Sequence, residues 1–160
     1  MSESIDNLIK HGDLSGITTY QAGIMQSSVH RLLQKHCDEI LKPYGISKMQ
    51  WLIIGTVLDA GDMGIRLTDL AKITGTTLAY LTTAVNTLEL KDMLRRVNNQ
   101  DDNRSKIIRV DPLFAPRCAE IEHMMRDKLR KSIYAEVSLG DFRTYMKVLY
   151  QLSNVGKKTT

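Results

Sequence analysis

A chain of 160 residues, 42% hydrophobic and 25% charged with three prolines, is long enough for one compact domain, or for a small domain wrapped in accessory helices. That composition excludes a disordered tail, and the formal charge of +4 admits a polyanionic partner without demanding one. Two distant cysteines, Cys37 and Cys118, lack CxxC or Cys/His spacing; they indicate neither a disulfide framework nor a metal site and read as buried reduced thiols. The opening "MSESIDNLIKHGDL" has no signal-peptide pattern and no run approaches the roughly 18 apolar residues of a membrane span, so a cytoplasmic protein without membrane contact is expected.

Apolar residues recur at helical spacing from Ile17 to Leu41, which predicts a long amphipathic helix ended by "KPYGIS". Ser47 and Gln50 form a capping-box signature before "MQWLIIGTVL", a helix apolar on most sides and therefore expected to be buried. "IRLTDLAKITG" and "TTLAYLTTAVNTLELK" then read as two short helices around Gly75, with Thr76 or Thr77 as the new N-cap. In the second, Leu78, Leu81, Val85 and Leu88 form one apolar stripe, and Thr76, Ala79, Tyr80, Thr83, Asn86 and Thr87 form an uncharged opposite face. "MLRRV" and "SKIIRV" read as strands joined by a polar loop, "NNQDDNR". Asp111 could cap the next helix with Pro112 at its first position, although Pro116 points to a delayed start. Cys118, Ile121, Met125, Leu129 and Ile133 mark the face of that helix, and Ser138 with Asp141 caps a last one.

The order from 47 to 110 (helix, short helix, turn, helix, hairpin) is that of a winged helix-turn-helix, in a chain that is mainly α with a small antiparallel β-hairpin wing. Physically, a helix with hydroxyl and amide side chains fits the DNA major groove, where it can bond base edges, while a hairpin tip swings an arginine to the adjoining minor groove. Residues 93 to 109 carry Arg95, Arg96, Arg104, Lys106 and Arg109 against Asp101 and Asp102, a local excess of positive charge. The bland alternatives are a solvated loop and ordinary helix surface.

The stretch from Leu67 to Val110 resembles the MarR family of bacterial transcription regulators in Leu67-Thr68, Leu70-Ala71, Leu88-Glu89, Arg96 and the wing signature Asp102-Asn103-Arg104. The flanking helices fit that family's layout, so the similarity spans residues 17 to 152. It departs from the pattern at Asp92 and Leu94, where the family often has glycine and valine, and at "VDPLFAP", which replaces a Leu-Thr pair with a later glycine. The resemblance implies one domain over 1–160, with a DNA-binding lobe at 47–110 and dimerisation helices at 17–42 and 112–152. It implies a homodimeric regulator of transcription, a repressor, that holds a pseudo-palindromic duplex and uses no cofactor or metal.

By position, Arg104 would be the minor-groove arginine of the wing and Asp102 its brace. Thr76, Thr77, Tyr80, Thr83, Asn86 and Thr87 would meet the major groove, with Asn86 suited to bidentate adenine contact. Arg95, Arg96 and Lys106 would meet phosphates. The recognition helix has no Lys or Arg between Thr76 and Glu89, so Lys72, Lys91 and Arg95 are expected to supply charge beside the wing. Phe114, Met124, Met125, Phe142, Tyr145 and Met146 suit either a dimer interface or a protomer core.

The family also implies a small aromatic or phenolic effector in a cleft, for which Tyr20, His30, Arg31, Tyr44 and Trp51 offer rings and a cation, although a tryptophan in a buried helix such as Trp51 is more often a core residue. Cys37 opens a redox-sensing alternative, and a winged helix that binds protein in place of DNA is another. The residues show no nucleophile-base pairing, phosphate loop or paired carboxylates, so an enzyme is not expected. His11, His30, His36 and His123 lack paired metal spacing.

Overall fold

The computed structural model describes Asn7, Lys10 and residues 16–99 and 106–155. Two compact units divide the chain, Met1–His36 and Cys37–Thr160. Within the first, α1 (Thr19–Leu41) begins at reciprocal bonds between Thr18 and Gln21. Gln21 Oε1 accepts from Thr18 N at 2.9 Å and from its hydroxyl at 3.0 Å, and Gln21 N donates to Thr18 Oγ1 at 3.4 Å. Those bonds satisfy amides that a helix start otherwise leaves open, and they set the first turn two residues beyond Ile17. Tyr20, Ile24, Val29 and Leu32 are exposed along it.

In the second unit the last turn of α1 buries Cys37, Ile40 and Leu41, and a 3-10 turn at Lys42–Tyr44 with Pro43 ends the helix. The predicted capping box opens α2 (Lys48–Asp59): Ser47 Oγ accepts from Gln50 N and Gln50 Oε1 accepts from Ser47 N. Asp38 adds an acceptor for Lys48 N at 2.7 Å, so a carboxylate stands at the positive end of α2. α2 buries one stripe only, Ile53, Ile54 and Val57, and exposes Leu52 and Leu58, so its nearly all-round apolar sequence is not all-round burial.

Periodicity reads Ile65 and Arg66 as helix, but they form a short strand, β1 (Ile65–Arg66), ahead of α3 (Leu67–Thr74). The reason is tertiary: Ile65 pairs with Ile108 and Arg66 with Ile107. Gly64, at φ 66° and ψ −176°, makes that approach possible, because a Cβ there would lie 2.8 Å from the Ile108 carbonyl oxygen. Gly75, at φ 65° and ψ 28°, turns the chain from α3 into α4 (Leu78–Glu89), where Thr77 is the N-cap and accepts from Tyr80 N at 3.2 Å.

β2 (Leu94–Asn98) and β3 (Lys106–Val110) form the hairpin, and the antiparallel sheet runs in the order β1-β3-β2. The register sets Leu94 against Val110, Arg95 against Arg109 and Arg96 against Ile108. Asp111 does not cap the next helix directly. Its carboxylate accepts from Leu113 N, its carbonyl accepts from Phe114 N and Ala115 N, and α5 (Ala115–Ser132) starts with Pro116 in its first turn. Proline lacks only an amide that would be unsatisfied there anyway. Ser138 then caps α6 (Leu139–Val155), accepting from Asp141 N at 3.1 Å.

One core joins these elements: Ile53, Ile54 and Val57 of α2, Leu70 of α3, Leu81, Ala84, Val85 and Leu88 of α4, Leu94 and Ile108 of the sheet, and Phe114, Cys118, Ile121 and Met125 of α5. Each fully buried aliphatic side chain contributes about 1.5–3 kcal/mol. One sequence expectation changes here, and one that was left open is decided. Leu78 is 48% exposed and Ala84 takes its place in the buried stripe. Phe114 and Met125, suited by type to a dimer interface, belong to the protomer's own core.

Candidate nucleic-acid interface

α4 turns one face into the core and the other outward, and this division follows from its sequence. Leu81, Ala84, Val85 and Leu88 repeat at three and four residues and are buried. Thr77, Ala79, Tyr80, Thr83 and Asn86 are exposed, while Thr76 and Thr87 are half-buried. The structure therefore brings the predicted base-reading residues onto one outward surface, with exposed Leu78 and Thr82 beside them. Leu78 escaped the sequence reading because its spacing matches the apolar stripe; only the helix's rotation against α3 shows it outside.

The hydroxyls on this surface are already oriented. Thr83 donates to Ala79 O at 3.3 Å, Thr87 to Thr83 O at 3.0 Å and Thr82 to Leu78 O at 2.8 Å. A hydroxyl that has given its hydrogen to the preceding turn presents lone pairs outward. The Thr76 hydroxyl is shared with Thr74 at 3.0 Å. Asn86 is exposed, so its amide offers both a donor and an acceptor.

The cations divide by what holds them. Arg96 is half-buried: its guanidinium pairs with Glu89, and Glu89 Oε1 accepts from Arg96 N at 2.8 Å. One carboxylate thus ties the end of α4 to the middle of β2, which gives Arg96 an internal partner where the sequence reading assigned it a phosphate. Lys91 donates its ammonium to the Gly45 carbonyl, and Lys72 stands 4.0 Å from Asp69 on the surface. Arg95 is exposed and lies directly opposite Arg109. Lys106 and Arg66 are exposed and, among the described residues, form no ion pair. Arg66 was missed because its position reads as helix until β1 pairs with β3. Asp101, Asp102 and Arg104 at the wing tip lie outside the described residues.

Of the residues proposed for a ligand, Trp51 and Tyr44 fall in the second unit and have different surroundings. Trp51 lines a cavity of about 770 Å³ with Leu52, Arg130, Tyr134, Phe142 and Met146. The Arg130 guanidinium lies 5.9 Å from the Phe142 ring centre, and its Nη1 is buried with no hydrogen bond among the described residues. Tyr44 sits elsewhere, its hydroxyl 3.5 Å from Met124 Sδ and its ring under Arg117 at 5.7 Å. Tyr20, His30 and Arg31 are exposed in the Met1–His36 unit, where Arg31 donates to Ser28. Arg130 and Phe142 were missed as cavity residues because they lie more than 75 positions beyond Trp51 in the chain.

Cys37 is 6% exposed, and burial raises its thiol above the usual range; Lys48 opposes this and Asp38 adds to it. Burial raises Cys118 as well, against a backbone hydrogen bond. Neither site favours the thiolate that oxidation requires. Among the described residues no three His, Cys, Asp or Glu side chains are grouped to hold a metal ion, and no helix is long and apolar enough to cross a membrane.

Residues 44–105 match the profile of the MarR family. Among solved structures the chain is similar to a mutant MarR from E. coli complexed with operator DNA, at 19% identity and a TM-score of 0.72 over 81% of this chain and 91% of that one. It is also similar to AbsC, a MarR family transcriptional regulator from Streptomyces coelicolor, at 18% identity and a TM-score of 0.74 over 89% and 97%. CouR from Rhodococcus jostii RHA1, bound to p-coumaroyl-CoA, matches at 15% identity and a TM-score of 0.71 over 81% and 89%. No curated protein sequence matches the chain. The profile match covers α2 through β2, and over more than four-fifths of its length the chain shares the fold of the MarR structures, a winged helix-turn-helix flanked by helices on both sides.

Proposed function

We propose that this protein is a sequence-specific, duplex-binding repressor of transcription that acts as a homodimer. The observation that carries the reading is the outward face of α4. From Thr77 to Asn86 it spans about 14 Å, roughly four base pairs, and offers hydroxyl and amide groups with no charge of either sign. A surface destined for solvent has no need of that exclusion, whereas base edges in the major groove are read by such groups. The wing supplies what α4 lacks: Lys106 at the loop end of β3, and Arg104 and Asp102 in a loop that would enter the minor groove.

α6 exposes Leu139, Met146, Leu149, Tyr150, Leu152 and Val155, and a second copy of the chain is the occupant that the MarR relatives' layout favours for that face. Two copies would set their α4 helices about 34–36 Å apart on successive major grooves. The cavity beside Trp51 falls within the size range of ligand sites, and with Arg130 at its wall it suits a small aromatic acid. That assignment draws on Trp51 and not on Tyr44, which does not line the cavity.

Selection of bound duplexes from a random pool, followed by fluorescence anisotropy over a salt series, tests the reading. Arg104→Ala is expected to weaken every duplex and lower the salt slope by about 0.9, while Asn86→Ala changes base preference at one position. A purified chain that remains monomeric and binds no duplex at low ionic strength would refute the reading and leave a protein-binding winged helix in its place.

A further inference from the structure

The back of the wing carries a feature that duplex reading by α4 does not use. Arg95 and Arg109 are directly opposite each other in the antiparallel register, a pairing of like charges that destabilises a sheet unless something lies between them. Both line a cleft of about 330 Å³ walled by Val57, Leu58, Pro112 and Ala115. The Arg109 Nε is buried and makes no hydrogen bond among the described residues. Asp62 also lines the cleft, yet it pairs with neither arginine among the described residues. Gly64 keeps the space beside Arg109 open, since a Cβ there would lie 2.9 Å from the Arg109 Cγ.

We propose that this cleft is a binding site for a small free oxyanion, a phosphate or carboxylate group held between the Arg95 and Arg109 guanidinium forks. An oxyanion accepts the buried Nε–H that has no internal acceptor, neutralises the opposed charges, and matches the planar donor geometry of arginine better than chloride can. The apolar walls leave room for a compact organic group behind the anionic head. The site lies on the hairpin itself, so its occupancy bears on how firmly β2 and β3 are held together below the wing tip.

Thermal unfolding against inorganic phosphate, with chloride at matched ionic strength as reference, tests the proposal. At tenfold excess over its dissociation constant phosphate is expected to raise the midpoint by about 3–5 °C and then saturate. Arg109→Gln and Arg95→Gln should each remove most of that rise, Arg109→Lys should keep only part of it, and Arg66→Gln, on the same sheet face but outside the cleft, should keep it whole. An equal, non-saturating rise in wild type and Arg109→Gln marks general exclusion of phosphate from the surface and overturns the proposal. The exposed Arg95 makes Arg95→Gln the variant to rely on should Arg109→Gln not fold. The competing source of the same chemistry is the DNA backbone: no phosphate stabilisation, together with a salt slope about one unit lower in Arg95→Gln, overturns the free-anion site in its favour.

Discussion

Removing the Glu89 carboxylate is expected to loosen the wing from the recognition helix, and the size of the effect follows from two contacts. Oε1 accepts the Arg96 backbone amide at 2.8 Å, and Oε2 meets its guanidinium; both side chains are 26% exposed. Deleting the acceptor leaves a part-buried strand amide unsatisfied, worth about 1–3 kcal/mol. The ion pair, discounted for its exposure to solvent and salt, adds about 0.5–1 kcal/mol. Glu89→Ala should therefore cost about 1.5–4 kcal/mol, or about 3–16 °C in a chain of this length. Glu89→Gln retains an oxygen for the amide and should cost only about 0.5–1 kcal/mol, a difference that shrinks in high salt. Urea unfolding of wild type, both Glu89 variants, Arg96→Ala and the Glu89→Ala/Arg96→Ala double variant gives the coupling directly, expected at about 1 kcal/mol. Equal costs for Glu89→Ala and Glu89→Gln, or a cost of Glu89→Ala below about 0.5 kcal/mol, refute the reasoning. Duplex affinity separates two roles for Arg96. If it braces the wing, Glu89→Ala weakens binding as Arg96→Ala does; if it contacts phosphate, releasing it from Glu89 tightens binding.

Three further predictions concern the backbone and the thiols. Gly64→Ala, at a φ/ψ open essentially to glycine and with a carbonyl oxygen 2.8 Å from the added Cβ, should cost about 3 kcal/mol, whereas Gly75→Ala, with open space around its Cβ, should cost about 1 kcal/mol; similar urea midpoints for the two would contradict the packing argument. Asp92 holds φ 54° three residues after the end of α4, where the family pattern often has glycine, so Asp92→Gly should raise stability by roughly 0.5–1 kcal/mol, and a lower midpoint counts against strain there. Cys37 and Cys118 bind their protons more tightly when folded than when unfolded, so their contribution is complete below the ordinary thiol pKa of about 8.5 and is lost as pH rises through the raised folded values. Stability measured from pH 7 to 10.5 should fall, and the Cys37→Ala/Cys118→Ala variant should fall less steeply; identical slopes would contradict burial as the cause.

What the sequence determined by itself is local. Ser47 and Gln50, Ser138 and Asp141, Thr77 before a helical run, and Gly75 after one each specify a helix end through groups within a few residues, and the structure has each where the pattern puts it. The outward face of α4 was legible for the same reason, since 3.6-residue periodicity fixes which side chains share a face. Tertiary structure decided everything that depends on a distant partner. Ile65 and Arg66 leave the helix because β3 offers strand bonds, Leu78 is excluded from the core because α4 rotates Ala84 into it, and Arg96 meets Glu89 across a turn. The cavity that unites Trp51 with Arg130, and the cleft that sets Arg95 against Arg109, arise from register and packing between segments remote in the chain. Periodicity and capping carry no information about either, because both are properties of a single segment and its immediate neighbours.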